Sequence, residues 1–404
     1  MFIQNNRYYK KYFLIYLGFL LFFAVFFLYT KHLVGNDSTI SEWLINYYGG
    51  FTKRGIIGQI AIYFAEIFQF ELRFSIYLLQ TFSIGIYFVL IYKFFIDLPS
   101  ERYFYLIIFT PIFLIHPFAE IEVLARKEII VFILFLSHLL ISTNKPNLHQ
   151  YSKLITLTLS VLIWEPVVFF LPLWIIIDIE KQKLKKFDKK LIVELLCYLP
   201  ALFISLLFIF FPITDVQHLK MATYLSNNFG ETCYMSCALL NDKSTILQQF
   251  EGNYGKYSFE VLFRYFLILL IGFGPLLILL SNSKFKNKTI LSAFSKNINP
   301  LNLFLISFSP VLLLFAMGYD WGRWVNISYA MFLFTFYYLF KNSLIEINFT
   351  KLRRGVLNKI SFNKYVFIFI IFSFSWNQKT VITDDVASIP IYRVIYKFVK
   401  LYLF

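Results

Sequence analysis

Apolar residues run in long blocks along this chain, near positions 12–30, 55–70, 74–94, 103–118, 128–143, 154–177, 191–213, 259–281, 301–317 and 325–341, with short polar stretches between them. Two-residue alternation within the blocks is weak, which argues against the strands of a barrel. A block of this kind can satisfy its own backbone hydrogen bonds in lipid by coiling into a helix. The pattern therefore predicts an all-α, polytopic helical integral membrane protein with about ten or eleven transmembrane helices, built as one membrane domain over 1–404. Interfacial helices are expected beside the spans. In the first loop, 31–54, Ile40, Trp43, Leu44 and Tyr47 recur at helical spacing, and Thr39 with Glu42 has the form of a capping box. In the tail, 376–404, Tyr392, Ile395, Val399 and Tyr402 line one face while Arg393, Lys397 and Lys400 lie on another.

Composition agrees, since 59% of residues are hydrophobic, 52 are Phe, and charged residues make up 15%. A net charge of +15 raises the question of nucleic acid, but the cations gather in short loops next to apolar blocks and read as topology signals. The loops 181–190, 284–296 and 341–364 and the start Met1–Lys11 belong on the cytoplasmic side by that rule. The loops 31–54 and 214–258, the motif Tyr319–Arg323 and the tail then face outward. No nucleic-acid partner is expected. The first block is too long for a signal-peptide core and lacks a small-residue cleavage site, so it is retained as a span with the N-terminus cytoplasmic.

Two arrangements of the early blocks compete. If 55–70 crosses the bilayer, Glu120–Glu128 faces the cytoplasm, and this is preferred because half-helices of ten residues reach only about 15 Å. If 55–70 is re-entrant and 154–177 turns back at Trp164-Glu165-Pro166, that stretch moves to the outer side.

Charges beside apolar blocks are costly to place and mark candidate sites. Lys53 and Arg54 follow a Gly49-Gly50 turn at the mouth of a block and are candidates for holding phosphate, with snorkelling as the bland reading of Lys53. Asp320 and Arg323 are spaced to pair on a helical turn. Tyr319, Trp321 and Trp324 beside them supply aromatic faces of the kind that bind sugars, or simply anchor a helix at an interface. Glu122 and Arg126 can pair on a helix, leaving Arg126 and Lys127 as phosphate candidates only in the outer-side arrangement. Glu165, mid-block before Pro166, requires a partner or a wet cavity, and serves either as a buried ion-pair member or as an active-site acid; Glu66 invites the same argument with less force. Cys233 and Cys237, in the large loop 214–258, can form a local disulfide. No metal-ligand set, nucleotide loop or hydrolytic triad is evident, so no metal and no cofactor is expected.

The run Tyr47–Gly58, the Arg126-Lys127-Glu128 step, Glu165-Pro166 and Asp320-Trp321-Gly322-Arg323-Trp324 resemble signposts of polytopic proteins from bacterial surface-polysaccharide clusters, including O-antigen and capsule repeat-unit polymerases. That resemblance implies outer-side arginines, here Arg54 and Arg323, holding undecaprenyl-pyrophosphate sugars, with 214–258 as the extended outer loop. It also implies a place in the cytoplasmic membrane and other polysaccharide-assembly proteins as partners. A second resemblance, to membrane glycosyltransferases with polyprenyl-phosphate donors, implies a catalytic acid in the first outer loop, Asp37 or Glu42. Glycosyl transfer on polyprenyl-linked sugars is the expectation, with Asp320 or Asp37 as base and repeat-unit polymerisation favoured over single-sugar addition. A flippase for the lipid-linked sugar is the different-class alternative.

Overall fold

A proline after Thr110 stops the fourth of the expected spans, because the residue before a proline is pushed out of the helical region. In the computed structural model, which describes residues 2–34, 38–186, 189–242, 245–291, 299–382 and 390–403, Thr110 is extended at φ −59°, ψ 138°. The block 103–118 is accordingly a short helix, Arg102–Phe109, followed by turns and the single helical turn His116–Ala119. Its unwound carbonyls are not wasted. Asn326 Nδ2 donates to the carbonyls of Ile112 and Phe113 at 2.8 and 2.9 Å, which satisfies backbone groups that lipid could not.

About 75% of the chain is helical, and among the described residues the strands are one antiparallel pair, Ser283–Phe285 with Ile345–Ile347. Among the described residues four helices are long and apolar enough to cross a membrane: Tyr8–Val34, Leu72–Phe95, Phe259–Ser281 and Pro300–Met317. The pair Lys189–Leu196 and Leu199–Phe210, bent by 40°, adds a fifth if it counts as one span. Its break falls where Pro200 has no N–H to offer the Leu196 carbonyl. The other apolar blocks are shorter or broken helices, with one exception. The helix Trp321–Lys341 is buried on every face from Val325 to Leu339, and it forms the centre of the main hydrophobic core.

The basic loops converge on one end of the bundle. There Lys10 pairs with Asp97 at 3.2 Å, Lys341 Nζ reaches the Phe94 carbonyl, and the Ile290 amide bonds the Leu184 carbonyl. The first loop, the motif Tyr319–Arg323 and the segment 214–258 share the other end, called here the loop end.

The preferred arrangement of the early blocks is overturned. The helix Gly55–Phe68 begins beside Glu165 and returns to the loop end, where Glu66 accepts from the hydroxyls of Tyr48 and Tyr224. Both ends of this helix therefore lie with the loop-end segments, and Glu66 is bonded to tyrosines of those segments. The block 154–177 is a hairpin: the helix His149–Ile163 rises to a 3-10 turn at Glu165–Phe170, and Leu171–Gln182 descends, bringing Asp178 to 2.5 Å from Lys153. Glu120–Glu128 thus lies at the loop end.

One expected surface helix also differs. The first loop forms one helical turn, Ser38–Ser41, and Ile40, Trp43, Leu44 and Ile45 are fully buried as a wedge instead of lying along an interface. The tail forms a helix, Pro390–Leu403, whose Val394 and Phe398 pack inward while Ile395 and Val399 are exposed. The segment 214–258 provides two helices, Asp215–Phe229 and Ile246–Tyr254, each opened by a threonine capping box. The first of them lies on Gly49 so closely that a Cβ there would sit 1.9 Å from the Gln217 carbonyl oxygen. A disulfide joins Cys233 to Cys237, and the Ser236 amide donates to Ser41 Oγ at 3.4 Å, which ties this segment to the first loop.

Candidate functional site

Charges flagged separately along the sequence meet in one network at the loop end. Arg54 reaches it because the chain turns through a left-handed conformation there, φ 62°, a strained geometry for a residue with a side chain. Its guanidinium forks onto Glu165, Nε at 2.7 Å from Oε2 and Nη2 at 2.8 Å from Oε1, and Lys53 Nζ stands 3.8 Å from the same carboxylate. Glu165 is available at this height because the hairpin tip breaks the helix in front of Pro166.

Arg126 does not pair with Glu122. The stretch Ile121–Val123 is a 3-10 turn, and Arg126 instead reaches Glu42 at 2.8 Å and Asp320 at 3.6 Å. Arg323, one turn into the central helix, donates to Asp320 at 3.3 Å, to Glu42 at 3.2 Å and to Glu128. Glu42 therefore bridges two guanidiniums. Burial alone would raise its pKa, but Arg126 and then Arg323 hold it well below the usual carboxylate range. Lys127 is fully buried, and its ammonium donates to the Arg54 carbonyl.

The three aromatics expected to face a sugar are placed differently from one another. Trp321 is turned inward, with Nε1 donating to the Phe315 and Gly318 carbonyls and its ring packed against Tyr257 and Tyr265, so its faces are spent on packing. Trp324 lies under the Arg323 guanidinium at 5.0 Å and stacks on Trp164, ring centroids 6.2 Å apart. Tyr319 is exposed, with Lys256 Nζ 3.8 Å above its ring. Asp37 lies outside the described residues. The network thus brings together Lys53, Arg54, Arg126, Glu165, Asp320 and Arg323, all of which the sequence singles out. It adds Glu128 and Trp164, and it promotes Glu42 from an alternative to Asp37 into a central member. A single acid inside the apolar run Ile40–Ile45 is the signal for Glu42.

The network is graded in accessibility. Side-chain exposure is 2–7% for Glu42, Glu128, Arg126 and Arg323, but 29% for Asp320, 21% for Glu165, 22% for Arg54 and 41% for Lys53. Buried polar atoms without a partner gather here too: Glu42 Oε2, Arg323 Nε and the indole Nε1 of both Trp164 and Trp324. A cavity of about 50 Å³, large enough for water, adjoins Arg126, Glu128 and Arg323.

Burial pushes the Lys127 amine down to about 7, with Arg54 adding to the push and Glu42, Glu165 and Glu128 opposing it. The unfolded amine, near 10.5, keeps its proton where the folded one has lost it. Between those values the unfolded state binds more protons, so stability due to this group rises with pH, by at most about 1.4 kcal/mol per pH unit. Lys127→Met should remove that slope from thermal melts taken between pH 7 and 9. Parallel wild-type and variant profiles would mean that the buried amine stays charged.

A second polar network sits at the basic end. Lys153 Nζ lies 2.5 Å from Asp178 and 2.6 Å from Glu194, and His149 Nε2 bonds Asp178 at 2.7 Å. The ligand atoms of His149, Asp178 and Glu194 come within 4.8 Å of one another, a spacing that suits a metal, but the Lys153 ammonium already bonds both carboxylates. No family model, curated protein or solved structure matches the chain.

Proposed function

We propose that this protein is a multi-pass glycosyltransferase of the bacterial cytoplasmic membrane, N-terminus inside, that acts on polyprenyl-linked sugars at the outer face and polymerises surface-polysaccharide repeat units. The observation that carries the reading is the loop-end network: four cations, the Lys127 amine and four carboxylates from four separate stretches of chain, held together beside the exposed Tyr319. Transfer from a lipid phosphate needs cations for the leaving group and a carboxylate for the acceptor hydroxyl. The accessibility gradient divides those roles. Lys53 and Arg54 meet the phosphate, and Asp320, the most exposed carboxylate of the network, takes the hydroxyl proton. Arg126 and Arg323 are committed to carboxylates, so they position Asp320 and Glu42 and do not bind phosphate as the sequence suggests. Apolar side chains that face outward on the long helices, among them Phe263, Phe266 and Leu270, suit a lipid-facing surface.

The test is the surface-glycan ladder of a bacterial strain lacking this gene. Long chains should vanish while single repeats on the lipid core remain, and complementation with Asp320→Asn should restore elongation on the order of 100-fold less well than wild type. A full-length ladder missing one sugar would favour single-sugar addition, and an unchanged ladder would sink both. The buried Lys153 network favours a second reading, an ion-coupled carrier for the lipid-linked sugar, because ionisable groups inside a helical bundle commonly serve ion pathways.

A further inference from the structure

The loop-end network is electrically lopsided. Around two guanidiniums, those of Arg126 and Arg323, stand three carboxylates, Glu42 and Glu128 at depth and the more exposed Asp320. On its open side the order reverses. Lys53 and Arg54 converge on the single carboxylate of Glu165, and Lys127 closes on the Arg54 carbonyl behind them.

Several features mark that open side as a place where an anion exchanges. The fork of Arg54 onto Glu165 is the geometry a guanidinium uses for a phosphate, two parallel N–H···O bonds at 2.7 and 2.8 Å. Both partners stand on chain breaks, Arg54 at its left-handed φ and Glu165 on a 3-10 turn between two helices, so Glu165 can swing without unwinding a core helix. The helix Gly55–Phe68 starts at Arg54 with no side chain capping its first turn, which leaves its N-terminal dipole end facing the same spot.

We propose that Glu165 is a tethered counter-anion that holds the place of a pyrophosphate monoester on Arg54 and Lys53, and that the ligand displaces it on binding. The diphosphate monoester carries about two to three negative charges near neutral pH and offers more acceptor oxygens than one carboxylate, so it suits a subsite with surplus cations better than Glu165 does. The glycosyl-transfer reading is needed only to say that the natural monoester is a polyprenyl one.

The proposal is tested on the full-length protein in lipid nanodiscs, titrated with farnesyl diphosphate, inorganic pyrophosphate or phosphatidylglycerol vesicles. Removing the competing charge in Glu165→Gln should tighten farnesyl diphosphate binding on the order of tenfold, and Arg54→Gln should abolish it in both backgrounds. Glu165→Asp, too short to keep the fork, should also tighten binding and serves if the glutamine variant does not fold. Unchanged or weaker binding by folded Glu165 variants would overturn the exchange, since it would mean that the carboxylate positions Arg54 for the ligand. The same rank order with inorganic pyrophosphate would support recognition of the head group, whereas equal competition by phosphatidylglycerol vesicles would overturn selectivity for pyrophosphate. A deletion strain with an unchanged ladder removes the glycosyl-transfer reading and leaves this binding order standing, so the two can fail separately.

Discussion

Replacing Arg323 by alanine should destabilise the protein by about 3–5 kcal/mol, seen as a large drop in melting temperature and yield in detergent. The guanidinium is 4% exposed and shared by Glu42, Glu128 and Asp320, so its loss leaves like charges crowded in a buried space. Lysine should rescue only part of the loss, because one ammonium lacks the planar fork that addresses three carboxylates from two nitrogens. Pairing Arg323→Met with Glu128→Gln should recover more than lysine does, since it removes a charge along with its partner. Arg54→Ala should cost less stability, as Arg54 and Glu165 each keep about a fifth of their side chains in solvent, where water screens the unpaired carboxylate. If Arg323→Ala melts with the wild type, the network is not a rigid frame. Asp320→Asn would then need a different explanation for any effect on elongation.

Much of that network is legible in the sequence, and for one reason. A charge beside or within an apolar block is expensive to bury, so Arg54, Glu165, Asp320 and Arg323 stand out by position alone. Partnership is not legible. Arg126 finds Glu42 across 84 residues and not Glu122 at the expected helical spacing, because the 3-10 turn Ile121–Val123 ends at an extended Leu124 and Ala125 is left-handed at φ 55°, so no continuous helix joins them. Topology fails at the same kind of place. A 14-residue helix such as Gly55–Phe68 is about 21 Å long, near enough to a span that length alone cannot reject a crossing. One miscounted crossing carries Glu120–Glu128 to the wrong end. The decisive feature is Pro166, whose turn sends the hairpin back and delivers Glu165 to Arg54. The sugar platform is misjudged for a different reason: aromatic residues pack as well as they recognise, and Trp321, flanked by Tyr257 and Tyr265, does the former.

Lys153→Met should be comparably destructive at the opposite end, again about 3–5 kcal/mol, because Asp178 and Glu194 then share a buried space without the ammonium between them. Both carboxylates are at most 3% exposed, so water cannot compensate. The triple change Lys153→Met, Asp178→Asn, Glu194→Gln should recover most of the loss, since it removes the charges together and keeps near-native volumes. That variant also separates the two functional readings. A network that only fastens the hairpin His149–Gln182 to the helix Lys189–Leu196 leaves the glycan ladder intact once the fold is restored. An ion-coupled carrier cannot spare its titratable groups, so a folded triple variant with reduced glycan of normal chain length would move the assignment from bond formation to transport. A Lys153→Met protein that melts with the wild type would defeat the premise that this ammonium is the counter-ion of both acids.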